Sequence, residues 1–425
     1  MMRRRWTGVV ALVAALAMVM AACGDDDTAT TEAPATTEAP ATTEAPATTE
    51  APATTEAAEP FKFGMILVGP QNDRGWSQAH FEAGEYLEEM LGAEMIVLDV
   101  VNTADRPDTT VEAVISDMVG QGAQLVFATS DDMRDGATIG AAENPDTPII
   151  WSSGDSAWAE GEAYNPAPNL GNTMGRMYYG KFIAGCAAGM MTETASIGYL
   201  GPLINAETRR LANSVYLGAR HCYEEYRGLN PDDLDFAVSW IGFWFNIPGV
   251  TLDPTQVANE FFDGGADVVV SGIDTTESLV VAGQRAAAGE TVWAVSYDYA
   301  DGCAEAPDVC LGVPYFNWGP AYKRIVEDLI AGTWTSECEW FGPDLTDIKN
   351  TDTCGIGFTM CDGLSADAEA AIVCFFADMA GGAELFVGPL NYQDGSEYLA
   401  DGEVADDLKL WYTEQLLEGM TGASN

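Results

Sequence analysis

The sequence predicts an α/β fold: doubly wound sheets of parallel strands with helices on both faces, divided between two lobes. Three observations predict it. Strand-length apolar runs at 61–68, 94–101, 124–128 and 147–151 are continuous rather than alternating, as strands covered on both faces require. Segments between them carry apolar residues at helical spacing, as in Trp76, Ala79, Ala83, Leu87 and Met90. The alternation continues to Ile330, more chain than one small sheet holds.

The first unit organises the rest. Its strand, 61–68, ends in a polar loop, and Trp76 opens the helix behind it. After the strand at 94–101, Pro107 opens a helix, its fixed φ suiting a first turn, with Val111, Val114, Ile115, Met118 and Val119 along one face. The strand at 124–128 runs into Ser130, Asp131 and Asp132 at a helix start, and the strand at 147–151 into a polar loop, 152–172. A long helix is expected over about 173–191, where Gly185 and Gly189 would let helix and sheet approach closely. A second set follows, with strands at 196–200, 235–240, 266–270, 292–296 and 309–313, then a helix marked by Tyr322, Ile325, Val326, Leu329 and Ile330. Residues 332–400 are glycine-rich and lack periodicity, which reads as an irregular, disulfide-pinned extension; Leu408, Trp411 and Tyr412 suggest a closing helix.

The amino terminus reads as an address. Arg3, Arg4 and Arg5 precede a short apolar region at 9–20, too short to span a bilayer, and Met20-Ala21-Ala22-Cys23 resembles a bacterial lipobox in which Cys23 becomes the lipidated first residue. A Thr-Thr-Glu-Ala-Pro-Ala unit then repeats every six residues to Glu56. Without large apolar side chains it cannot offset the entropy of ordering, so it is expected to be an extended tether, with a composition that also suits O-glycosylation. Of the nine cysteines, those beyond Cys23 form an even set, as an exported, disulfide-bonded chain would have. Cys303 with Cys310 and Cys354 with Cys361 could close local loops, although eight cysteines allow 105 pairings. A zinc site is the rival reading, opposed by the lack of any Cys-x-x-Cys and by having only His80 and His221 as histidines.

Charge excludes whole classes. With 18 basic against 66 acidic residues and a net charge of -48, too few cations exist to neutralise nucleic acid phosphates or to form a polybasic membrane patch. The acid excess reads as a solvated surface.

The strand ends collect rings and carboxylates: Trp76, Asp131, Asp132, Asp155, Trp244, Asp274, Asp298 and Trp318. A carboxylate accepts two hydrogen bonds side by side and an indole offers a stacking face, so the set suits a neutral, flat, hydrogen-bond-donating solute such as a nucleobase or nucleoside. Any one of these acids could instead cap a helix; the functional reading rests on their convergence. No nucleophile elbow, P-loop, dinucleotide fingerprint or His-Glu-x-x-His occurs, and His80 and His221 read as structural. Paired acids at Asp274 and Asp298 keep a nucleoside hydrolase as an alternative, and a sensor or adhesion module is another.

The run Asp73-Arg74-Gly75-Trp76-Ser77-Gln78-Ala79-His80 resembles the first motif of the basic membrane protein (BMP) family of solute-binding lipoproteins, related to purine nucleoside receptors. Residues 175–185 are similar to that family's Gly-Arg-Met-Tyr stretch, and 240–245 to its Trp-x-x-x-Trp-Phe segment. Ile273-Asp274-Thr275 resembles its acidic ligand loop, and Asn317-Trp318-Gly319-Pro320 its last block; the resemblance covers 61–334. It implies a type I periplasmic-binding-protein fold whose two lobes, joined by a hinge, close on a small molecule. It further implies no catalysis, no cofactor, a monomer, an ABC permease as partner, and an extracytoplasmic location through lipidated Cys23. The family's purine-contacting positions carry over as Trp76, Asp131 or Asp132, Trp244, Asp274, Asp298 and Trp318. Ser77, the stretch Tyr297-Asp298-Tyr299 and the cysteine-rich extension depart from the family pattern. The expected organisation is a signal peptide at 1–22, Cys23 and tether to 60, one lobe from 61–172 and about 303–334, a second from 173–302, and an extension at 335–425.

Overall fold

The computed structural model describes residues 59–425; the expected signal peptide, Cys23 and the repeat tract lie outside the described residues. From its start the described chain runs β1 (Lys62–Ile66), α1 (Trp76–Leu91), β2 (Glu94–Leu98), α2 (Val111–Gly120), β3 (Val126–Ala128), α3 (Arg134–Glu143), β4 (Ile149–Ser152) and β5 (Leu170–Gly175). It crosses through α4 (Tyr178–Met191) to β6 (Ser196–Gly201), α5 (Ala206–Glu225), β7 (Asp235–Trp240), α6 (Pro254–Asp263), β8 (Val268–Ser271), α7 (Glu277–Ala287), β9 (Trp293–Val295) and β10 (Cys310–Phe316). α8 (Gly319–Ala331) leads back to β11 (Cys338–Phe341). A final crossing gives β12 (Ile356–Met360), α9 (Ala366–Ala380), β13 (Leu390–Asn391), β14 (Glu397–Leu399), α10 (Asp407–Trp411) and β15 (Met420–Thr421).

Two sheets result, in the orders β11-β5-β4-β3-β1-β2 and β12-β10-β9-β8-β6-β7-β15, with β13 and β14 as a separate ribbon. Every pairing in the two sheets is parallel except β10 with β12. The apolar runs are continuous because successive side chains serve two different cores. Phe63, Met65 and Leu67 join a large cluster that reaches Tyr199 and Phe236 of the second sheet, while Ile66 and Val68 pack with Ile115 and Met118 of α2. The α/β architecture with two sheet-containing lobes is therefore as expected.

Several details differ from expectation. The helix expected from 173 begins at Tyr178, because Leu170–Gly175 is a fully buried strand between β4 and β11. Its sequence, Leu-Gly-Asn-Thr-Met-Gly, has little strand propensity, and flanking strands impose the conformation. Gly185 and Gly189 bring α4 close to α5, not to a sheet: a Cβ on Gly185 would lie 2.0 Å from the carbonyl oxygen of Val215, and one on Gly189 2.4 Å from that of Ala219. The return of 303–334 to the first lobe is corrected for its strand, since β10 lies in the second sheet; α8 is the part that packs on α1. The extension is not irregular either. It supplies β11 to the first sheet, β12 and β15 to the second, and α9 against α4.

The local Cys354–Cys361 loop that the spacing allowed is not formed. Cys186 pairs with Cys222, Cys303 lies within disulfide reach of both Cys310 and Cys361, and Cys338, Cys354 and Cys374 are free. The first of these ties α4 to α5 across a sequence separation of 36, a loop whose closure limits the unfolded chain by about 3–4 kcal/mol. Replacing both Cys186 and Cys222 by alanine is expected to lower unfolding free energy by that amount in a denaturant titration; a change below about 1 kcal/mol would show that the close helix contact alone suffices.

Candidate functional site

The loops after β1, β3 and β4 in the first sheet meet those after β7 and β8 in the second around a narrow pocket. Trp76, Asp131, Glu207, Trp244, Phe245 and Asp274 are among its walls, with Ser130 and Ser153. Ligands bind outside the carboxyl ends of parallel strands because the diverging loops leave a crevice there.

Trp76 is held from three sides. The carboxylate of Asp73 accepts hydrogen bonds from the backbone N–H groups of Gly75, Ser77 and Gln78 at 2.9–3.0 Å, which satisfies two free donors of the first turn of α1 and helps fix where the helix starts. The indole N–H donates to the carbonyl of Thr129 at 2.6 Å, so only the ring of Trp76 is left for a solute. Behind it, Phe316 and Trp318 meet its ring edge-on at centroid distances of 5.2 and 5.3 Å.

This corrects the expected place of Trp318. It is fully buried, stacked between His80 and Phe316 at 4.2 and 5.0 Å, and forms no part of the pocket wall. Asp132 also stays off the wall, although it follows Asp131 in the same short turn. His80 is structural, its Nδ1 sharing a hydrogen bond of 2.6 Å with the hydroxyl of Tyr322, and burial holds its pKa well below the ordinary histidine value.

Across the pocket, the backbone N–H of Asp274 donates to the carbonyl of Trp244 at 3.0 Å, binding two site loops of the second lobe to each other. Asp298 lies beside Asp274, fully buried, with φ of 69° and no donor to either carboxyl oxygen among the protein's hydrogen-bond partners. Burial raises both acids well above the usual carboxylate range, Asp298 adding to the rise of Asp274. Two such carboxyls are satisfied by one shared proton. Ser153, on the opposite wall, also has a positive φ, 67°. Such backbone persists only where surrounding structure fixes it, and here it sits at the pocket.

Three ionisable residues at the site were not anticipated. Lys181 is fully buried in α4, donates to the carbonyl of Ser271 at 2.7 Å, and sits 3.1 Å from the ring centre of Tyr297; burial pushes its pKa down to about 7 against the pull of Asp298 and Asp274. Glu207 enters the pocket from the first turn of α5, and burial pushes it up to about 7. Arg210, one turn on, donates to the carbonyls of Leu410 and Trp411 at 2.9 and 3.0 Å. A larger cleft of ≈ 490 Å³ shares Asp131, Ser153 and Glu207 with the pocket and reaches Arg210, Trp411 and Tyr412. One signal was available: Lys181 is the only charged residue in α4, a helix otherwise apolar and aromatic.

Two sheets with an aromatic-walled pocket edged by acids between their loops define a two-lobed solute-binding protein. The chain belongs to the Bmp family, described as ABC transporter substrate-binding protein PnrA-like, whose family model matches residues 61–348. It is similar to a purine-binding protein of Brucella abortus (strain 2308), 30% identical over 356 residues, covering 83% of this chain and 91% of the relative. A putative ABC transporter glucose-binding protein of Haloferax volcanii is 28% identical over 65% of this chain and 63% of its own length. Among solved structures, an ABC transporter solute-binding protein from Conexibacter woesei superposes with a TM-score of 0.55 at 21% identity, covering 76% of this chain and 96% of that one, a likeness of fold. The protein is thus a solute-binding component of an ABC importer, extracytoplasmic and membrane-associated, with a permease as partner. Its family is one of non-catalytic binding proteins.

Proposed function

We propose that the cargo is a purine nucleoside or nucleobase, held with its ring against Trp76 and its polar edge on the carboxyls of Asp131, Asp274 and Glu207. The observation that carries this is the composition of the pocket wall: aromatic rings from both lobes, Trp76 from one and Trp244 with Phe245 from the other, and acids and hydroxyls with no cation among them. Such a wall suits a flat, uncharged, hydrogen-bond-donating molecule. Asp298 acts from beneath by sharing a proton with Asp274, while Trp318 backs Trp76 and Asp132 carries no contact. The purine-binding relative from Brucella supports the class. The glucose-binding name of the Haloferax relative supplies the competing arm of the test.

Isothermal titration with adenosine, guanosine, adenine, hypoxanthine and glucose decides between them. Binding of glucose and of none of the purines would sink the proposal. The same reading takes Cys23 as the lipid-bearing residue of a monomer held off the membrane by its Thr-Thr-Glu-Ala-Pro-Ala tether; mass spectrometry of the mature amino terminus finding no diacylglycerol there would remove the anchor.

Affinity should depend on pH. Confinement in the pocket, with Asp132 beside it, pushes Asp131 up to about 6. A proton and a ligand N–H or O–H compete for the same oxygens, so binding is lost as pH falls through that value. Between pH 7 and pH 5 protonation of Asp131 alone should raise the Kd about tenfold, Glu207, held near 7, adding to the rise, and Asp131→Asn should remove the Asp131 share. A flat profile in the wild-type protein would show that Asp131 accepts no hydrogen bond from the cargo.

A further inference from the structure

Three cysteines converge where the segment after Asp298, the start of β10 and the end of β12 meet. The sulfurs of Cys303, Cys310 and Cys361 all lie within 4.8 Å of one another, so Cys303 is within disulfide reach of either of the others. A sulfur holds one disulfide at a time, so one member of the trio is always left as a thiol. We propose that this trio is a thiol-exchange site, in which Cys303 alternates between Cys310 and Cys361 and a reactive thiol is presented at Cys361 in only one of the two forms.

The chemistry closes without an outside oxidant. The Cys310 thiolate attacks the sulfur of Cys303; the Cys303–Cys310 bond forms, the Cys303–Cys361 bond breaks, and its electron pair leaves on Cys361, which takes up the proton that Cys310 gave to solvent. Burial makes the two forms different to the outside. Cys310 is fully buried and Cys303 is 8% exposed, whereas Cys361 is partly exposed. With Cys303 bonded to Cys361 the spare thiol is sealed inside at Cys310. With Cys303 bonded to Cys310 the spare thiol is Cys361, open to a small disulfide from solution, with which it forms a mixed disulfide and releases the small thiol. The backbone holds the partners close, since the N–H of Gly363 donates to the carbonyl of Cys310 at 3.0 Å. The exchange moves a staple on the chain that follows Asp298 between its neighbour strand β10 and the end of the edge strand β12.

The test uses the whole chain purified without reductant, labelled with a small maleimide at pH 8, quenched in acid and mapped by peptide mass spectrometry. Both linkages, Cys303–Cys310 and Cys303–Cys361, are expected in the wild-type protein, with Cys361 labelled and Cys310 protected. Cys310→Ser leaves Cys361 as the only partner for Cys303, and labelling of Cys361 should fall about tenfold. Cys361→Ser should yield the Cys303–Cys310 linkage alone. A single linkage in the wild-type protein, with Cys361 labelling unchanged by Cys310→Ser, overturns the proposal. So does labelling of all three sulfurs with release of a bound metal ion, which would make the trio a thiolate metal site.

Discussion

Replacing Gly75 by alanine is expected to raise the Kd for the cargo about a hundredfold while leaving the unliganded protein as stable as before. Gly75 belongs to the first lobe, at the entry to α1, and Asp274 to the second, after β8. A Cβ on Gly75 would lie 1.9 Å from the carbonyl oxygen of Asp274 and 2.9 Å from its carbonyl carbon. Both are backbone atoms, so no side-chain rotation relieves the conflict. The clash exists only while the lobes are together, as they are here, where Arg74 also meets Glu305 across the cleft. Overpacking of this kind costs about 1–3 kcal/mol, and the upper end corresponds to about a hundredfold in affinity. Because the cost falls on one of two states, it shifts the population toward open lobes rather than unfolding either lobe. Gly120, with open space around the position of its Cβ, is the control, and Gly120→Ala should bind normally. Small-angle scattering should show Gly75→Ala remaining extended at cargo concentrations that compact the wild-type protein. Affinity within about twofold of wild type would mean that closure does not bring these two loops together.

Much of this architecture was legible because the physics behind it is local. Continuous apolar runs followed by amphipathic spacing gave the βα units, and the loops after the strands gave Trp76, Asp131, Trp244 and Asp274, which line one pocket. What escaped depends on partners distant in sequence. Leu170–Gly175 is a strand because β4 and β11 flank it, and β11 lies more than 160 residues on in the chain, with Asn172 set against Cys338. Nothing in a Gly-Asn-Thr stretch announces that. Trp318 and Trp76 look alike as residues following strands, yet one is sealed between His80 and Phe316 and the other edges the pocket. Only the packing of α1 against α8 decides which ring faces outward. Glu207 was missed because its helix begins beside the cleft by virtue of lobe geometry; its own turn reads simply as a capping box between Asn205 and Thr208.

Trp76 itself allows two readings that a short series of variants separates. As packing alone, its ring edges Phe316, Trp318 and His80 and its N–H holds Thr129, so Trp76→Ala would cost about 3 kcal/mol of stability and leave binding by the folded fraction unchanged. As a stacking face it would also lose affinity, since an aromatic ring beneath a base contributes about 1–3 kcal/mol, roughly five- to 150-fold in Kd. The pocket wall favours the second, because the indole is only partly buried and its uncovered face borders the same space as Trp244. Trp76→Phe sharpens the distinction. It keeps a ring but forfeits the 2.6 Å hydrogen bond to Thr129, so it should lose about 1 kcal/mol of stability and less than tenfold in affinity. The decisive measurement is affinity at a temperature where each variant is fully folded. An alanine variant that is destabilised but binds like wild type would reduce Trp76 to a packing residue and leave the cargo's ring to Trp244 and Phe245 alone.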